Sequence, residues 1–97
     1  MIGEFVIVRT RSAGVHTGYL REQAGTAAVL GEARRLWRWS EAFTLHEASL
    51  HGVGEDSRLS EPVPLILLTE AIEVIPCKEK ARLSLSRSRD GVPKSSD

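Results

Sequence analysis

Cysteine occurs once in the 97 residues, as Cys77. A lone thiol excludes an intramolecular disulfide and any multi-cysteine zinc site, and fits a reducing compartment. Long apolar runs are also missing. None, Leu65 to Leu68 included, exceeds four residues, far short of the ~20 that a membrane-crossing helix needs. The start has no basic segment followed by an apolar stretch, and Ile2 stands where myristoylation requires glycine. The expectation is therefore no secretion signal and no membrane contact. Charge of one sign is lacking, with 13 basic against 13 acidic side chains, so no global field draws the chain to nucleic acid. The glycines from Gly14 to Gly18 carry neither the dinucleotide fingerprint nor a phosphate loop.

What is present is β-forming sequence. Glu4 to Thr10 is dense in β-branched and aromatic side chains and predicts a first strand. Ser12-Ala13-Gly14 supplies a turn, and His16 to Glu22 is its antiparallel partner. A second turn around Ala24-Gly25-Thr26 leads into a third strand, Ala27 to Leu30. Such short links favour a meander. Gly54 to Arg58 reads as a polar loop. After it come Pro62 and Pro64, each without an amide hydrogen. They predict an edge or extended lead-in that becomes a buried strand from Leu65. Ala71 to Ile75 is a further short strand, closed by Pro76.

The segment Gly31 to Ser40 fits two templates. As a helix, Ala33, Leu36, Trp37 and Phe43 share a face; as a strand, Ala33, Arg35, Trp37 and Trp39 lie on one side and Arg34, Leu36 and Arg38 on the other. A helix-start signal just downstream favours the strand. Thr44 as N-cap and Glu47 three residues later form a capping box, and Gly52 is suited to end the helix Leu45 to His51. So short a helix needs tertiary packing, expected through Leu45, Ala48 and the Leu50–Val53 end. Cys77, Ala81 and Leu85, spaced by four, permit a second helix near the C-terminus. The fold class is thus mainly β, a β-rich α+β domain: a small antiparallel sheet or partly closed barrel with a short inserted helix and a C-terminal helix. The domain is expected over residues 1–83, followed by a polar, disordered tail at 84–97. Residues 78–97 hold six basic and three acidic side chains.

The most distinctive local feature is basic and aromatic. Arg34, Arg35 and Arg38 surround Trp37 and Trp39, the only tryptophans. These five residues form the candidate partner or ligand surface. Three readings stay open: core packing with a solvated arginine rim, a protein contact, or stacking of a base or nucleotide with an arginine on its phosphate. His46 and His51 point about 140° apart on a helix, a poor pair of metal ligands. Cys77 lacks an implied histidine partner and reads as a buried, inert thiol. Neither Glu70 with Glu73 nor Glu55 with Asp56 has the pattern of a two-carboxylate site. No catalytic residue, cofactor or metal is called.

Four ordered blocks, Val6 to Leu20, Ala33 to Trp39, Leu45 to Val53 and Leu68 to Cys77, together resemble a family of small uncharacterised proteins of tailed bacteriophages and prophages. The resemblance covers about residues 5–83. It implies a noncatalytic accessory or assembly protein, in the cytoplasm of a bacterial host or virion-associated, and carries over no catalytic residues. Arg38 and Ser40-Glu41-Ala42 depart from the commoner pattern. The expected function is self-association or contact with another phage or host protein, with a nucleotide or nucleic-acid binder, one sequestering a signalling nucleotide, as the alternative and a small enzyme as the third class.

Overall fold

A computed structural model describes residues 1–42, 44–87 and 89–90. Seven strands and two helices follow the chain as β1 (Phe5–Thr10), β2 (Val15–Ala24), β3 (Ala27–Arg38), α1 (Leu45–His51), β4 (Arg58–Leu59), β5 (Val63–Leu68), β6 (Ala71–Pro76), α2 (Glu79–Arg87) and β7 (Arg89–Asp90). The fold is α+β and mainly β. The first three strands make the expected meander, with β6 on the other edge of β1. The long β3 shares its outer edge between two partners, β5 along residues 28–33 and β4 along residues 36–38. β5 and β6 are consecutive but pair with β3 and β1, and the sheet does not close into a barrel.

Alternation along β1 sends side chains into two cores. Phe5 and Ile7 join Leu36 and Leu59 beneath Leu45 and Ala48 of α1 and Leu85 of α2. On the opposite face Val6 and Val8 pack with Leu20, Ala28, Leu30, Ala33 and Leu68. Burial on both sides is why Phe5 to Val8 has no polar alternation. In the second core Leu68 of β5 and Val74 of β6 belong to one cluster. In a flat sheet those strands, four spacings apart, would be about 19 Å from each other. The sheet therefore curls its two ends over this face.

Several expectations are corrected by this packing. The third strand does not stop at Leu30. It continues to Arg38 through a bulge at Glu32, whose φ of 49° is unusual for a residue with a side chain. The helix begins as expected, with the Glu47 amide donating to Thr44 Oγ1 at 3.2 Å. Leu50, however, is 43% exposed, and Ser49 takes the buried position beside Leu45 and Ala48; a helix turns about 100° per residue, so Leu50 points off that face. The Gly52 amide closes α1 on the Ala48 carbonyl at 2.9 Å, with φ of 86°. A side chain at Gly52 would strike Ser84, whose Oγ bridges both backbone groups of Val53. That contact ties α1 to α2. The expected domain boundary at residue 83 falls inside α2, because Leu85 is fully buried. The tail expected beyond it lies largely outside the described residues.

Candidate functional site

Three groups capable of acid, base or nucleophilic chemistry, His16, Cys77 and Glu73, are engaged in the fold. His16 is buried, and its Nε2–H donates to the Ala13 carbonyl at 2.9 Å. Burial, reinforced by the charge of Arg35 and partly offset by that carbonyl, pushes its pKa below the ordinary histidine value. Burial raises the Cys77 thiol to about 12, so almost no thiolate exists at neutral pH. A cavity of about 250 Å³ is lined by Arg9, Thr44, Leu45, His46 and Glu73. Within it Arg9 Nε donates to Glu73 Oε1 at 2.8 Å, and this bond holds the carboxyl below the usual range. A carboxylate so paired is a poor proton acceptor. Among the described residues no group of three or more His, Cys, Asp and Glu side chains could hold a metal ion.

The basic-aromatic segment is split by the fold. Arg34 is a strap: Nε donates to the Ser60 carbonyl at 2.8 Å, and Nη1 reaches the Leu85 and Ser86 carbonyls at 3.3 Å. It thereby ties β3 to the end of α2. Arg35 lies against Gly14, where a Cβ would come within 2.8 Å of its guanidinium. The pairing with β4 slips between Leu36 and Arg38, leaving Trp37 out of the ladder. Strict alternation is lost there. Trp37 is 50% exposed, whereas Trp39 lies past the strand end and packs on the helix-side core. Arg38 is exposed and sits opposite Arg58. The five residues thus do not form one face: Arg34 and Trp39 are structural, and Arg35, Trp37 and Arg38 remain at the surface.

A larger apolar surface is found where a buried strand was expected. Val63, Leu65 and Leu67 alternate along β5 and are 44%, 62% and 60% exposed. Only Leu68 of that run is buried, with Ile66 half covered. One cross-strand row explains how they are left bare. Phe5 pairs with Tyr19, Tyr19 with Gly31, and Gly31 with Leu65, so all four share a sheet face. At one end of this row the helices cover Phe5; at the other they do not reach Leu65. Between them the Arg21 guanidinium fills the space left by Gly31 and lies 6.0 Å from the Tyr19 ring centroid, a cation over an aromatic face.

At the helix boundary a cavity of about 160 Å³ opens, lined by Phe5, Tyr19, Glu32, Arg34, Pro62, Leu85 and Ser86. Its walls are set by an edge-to-face Phe5–Tyr19 pair at 5.2 Å and by the bulged Glu32. The proline pair signals the edge position of β5 in the sequence. The bare side does not show there, because Leu65 to Leu68 reads alike for a strand covered on both faces or on one.

A family model described as "Domain of unknown function (DUF6948)" matches residues 3–85. No curated protein and no solved structure matches the chain. The matched span ends at Leu85, the last buried residue of α2.

Proposed function

The chain belongs to the DUF6948 family, and we propose that it is a noncatalytic interaction module that docks a protein partner on the bare side of β5. The observation that carries this reading is the exposure of Val63, Leu65 and Leu67 on one uncharged strand. Contiguous exposed apolar side chains at a sheet end mark interaction sites or aggregation hazards. The adjoining cavity offers a pocket for one apolar anchor side chain. The phage-like blocks of sequence support placing such a module among viral accessory or assembly proteins of a bacterial cell or virion.

The surface around Trp37 supports the nucleotide reading less well. Arg34 is committed to backbone carbonyls and Trp39 to the core, which leaves Trp37 as the one exposed ring for stacking.

Placing a photoreactive phenylalanine analogue at Leu67 tests the docking reading, with the same analogue at Leu50 as control. Leu50 is also exposed, but on α1. Irradiation in bacterial cells is expected to give an adduct of one defined mass from position 67 and none from position 50. Absence of an adduct at 67, or equal adducts at both positions, overturns the reading. The target of the adduct is a separate question.

A further inference from the structure

We infer that the partner on β5 is a second copy of this chain, joined by antiparallel pairing of β5 with its two-fold mate. The inference rests on the docking reading above and adds the occupant and the register.

Three observations lead to it. First, β5 is hydrogen-bonded along one edge only: it pairs with β3, and no other strand is paired with it among the described residues. An open edge is a template for another strand. Second, the usual blunting charges are absent. From Pro62 to Thr69 there is no charged side chain, so a copy meeting its own image there brings no like charges together; Pro64, the proline within β5, removes at most one ladder hydrogen bond per copy. Third, a register exists that pairs the exposed leucines and keeps the flanking acids apart. Glu61 and Glu70 bracket the strand. Pairing centred on Ile66 sets Ile66 opposite its mate, Leu65 opposite the mate's Leu67, and Val63 opposite the mate's Thr69. In that register Glu61 and Glu70 both lie beyond the ends of β5 and are not set opposite each other. Pairing residue 65 with residue 66 is excluded, because directly opposed residues share a sheet face and these two do not. Of the allowed registers, centring on Leu65 would set Leu67 opposite Val63 and centring on Leu67 would set Leu65 opposite Thr69, so only centring on Ile66 pairs the two exposed leucines with each other.

Isologous contact of this kind closes after two copies, since the interface uses the same patch on both. It joins two curled sheets across β5. It also brings Leu65 and Leu67 of each copy together on one face, where each shields part of the apolar surface that the fold leaves bare.

The register makes the inference testable by charge exchange, read by sedimentation equilibrium of the full chain from micromolar to millimolar concentration. The wild type is expected to dimerise. Leu65→Lys and Leu67→Glu singly are each expected to weaken the dimer by at least about tenfold, because each sets a charge opposite a leucine. The double variant L65K/L67E then places each lysine opposite the mate's glutamate and is expected to recover most of that loss, whereas L65K/L67K is not. Both positions are exposed, and unchanged circular dichroism shows that the variants fold. A wild type that stays monomeric overturns the second copy, and a double variant no better than the singles overturns the register. If the wild type is monomeric while position 67 still crosslinks to one other protein in cells, the docking reading stands and the self-partner falls. If position 67 crosslinks to nothing, both fall.

Discussion

The two ends of one cross-strand row have opposite fates. At Phe5, α1 and α2 lie over the sheet, and Ile7, Leu36, Leu59 and Leu85 around it are inaccessible. At Leu65 the same face carries no helix, and the side chain is 62% exposed. Residue type does not distinguish these ends, since leucines occupy both. What differs is cover: α1 is seven residues and α2 nine, roughly 11 and 14 Å at 1.5 Å per residue, too short to roof every strand. The covered end makes the fold, and the bare end is the surface proposed above to take a partner.

The sharpest way to break this comparison is to truncate a leucine at each end. Leu36→Ala removes a fully buried side chain and is expected to cost about 2–5 kcal/mol of unfolding free energy, the usual range for leaving a cavity. Leu65→Ala is expected to stay within about 0.5 kcal/mol, as for surface changes. Urea midpoints measured at low protein concentration, where association adds nothing, compare the two. Equal losses would mean that the β5 ladder belongs to the core of the monomer.

That contrast also explains what could be read from the sequence. Local signals were legible: the turns at Gly14 and Gly25, the Thr44 cap, the Gly52 stop and the Ala81–Leu85 spacing each act within a few residues, and each is found. The strand assignment for Arg34 to Trp39 also follows from the cap, although the strand ends one residue earlier, at Arg38. The bulges did not follow, because Glu32 in a left-handed conformation and the slip at Trp37 are set by partner strands far away in sequence. Those bulges decide which side chains of the basic-aromatic segment face out. The exposure of Leu65 and Leu67 is likewise not legible in the sequence, since hydrophobicity reports what a strand can bury, whereas cover depends on where two short helices end.

A second variant tests the roof itself. Gly52 holds a φ of 86° and leaves room for Ser84, so Gly52→Ala incurs both backbone strain and a clash between α1 and α2. The expected loss is about 1–3 kcal/mol, seen as a lower thermal midpoint, together with faster amide exchange in both helices and little change in β2. A fall confined to α1 would show that the helices cover the sheet independently, and would weaken the view of them as one lid.

The smallest expected effect separates the regions by pH. His16 is buried with its pKa held below the ordinary histidine value, so the folded chain binds a proton less readily than the unfolded one. Between the unfolded value near about 6.5 and the lower folded value, the unfolded state carries more protons, and stability therefore falls as the pH falls through that window. His16→Gln is expected to flatten this slope in urea midpoints while keeping an amide donor for the Ala13 carbonyl. The β5 ladder should behave differently. From Pro62 to Thr69 it has no titratable side chain, and the flanking Glu61 and Glu70 lie outside the paired leucines. Self-association is thus expected to keep the same dissociation constant across the pH range in which the monomer loses stability. If the two instead move together, and His16→Gln abolishes both slopes, the bare end is not independent of the core behind it.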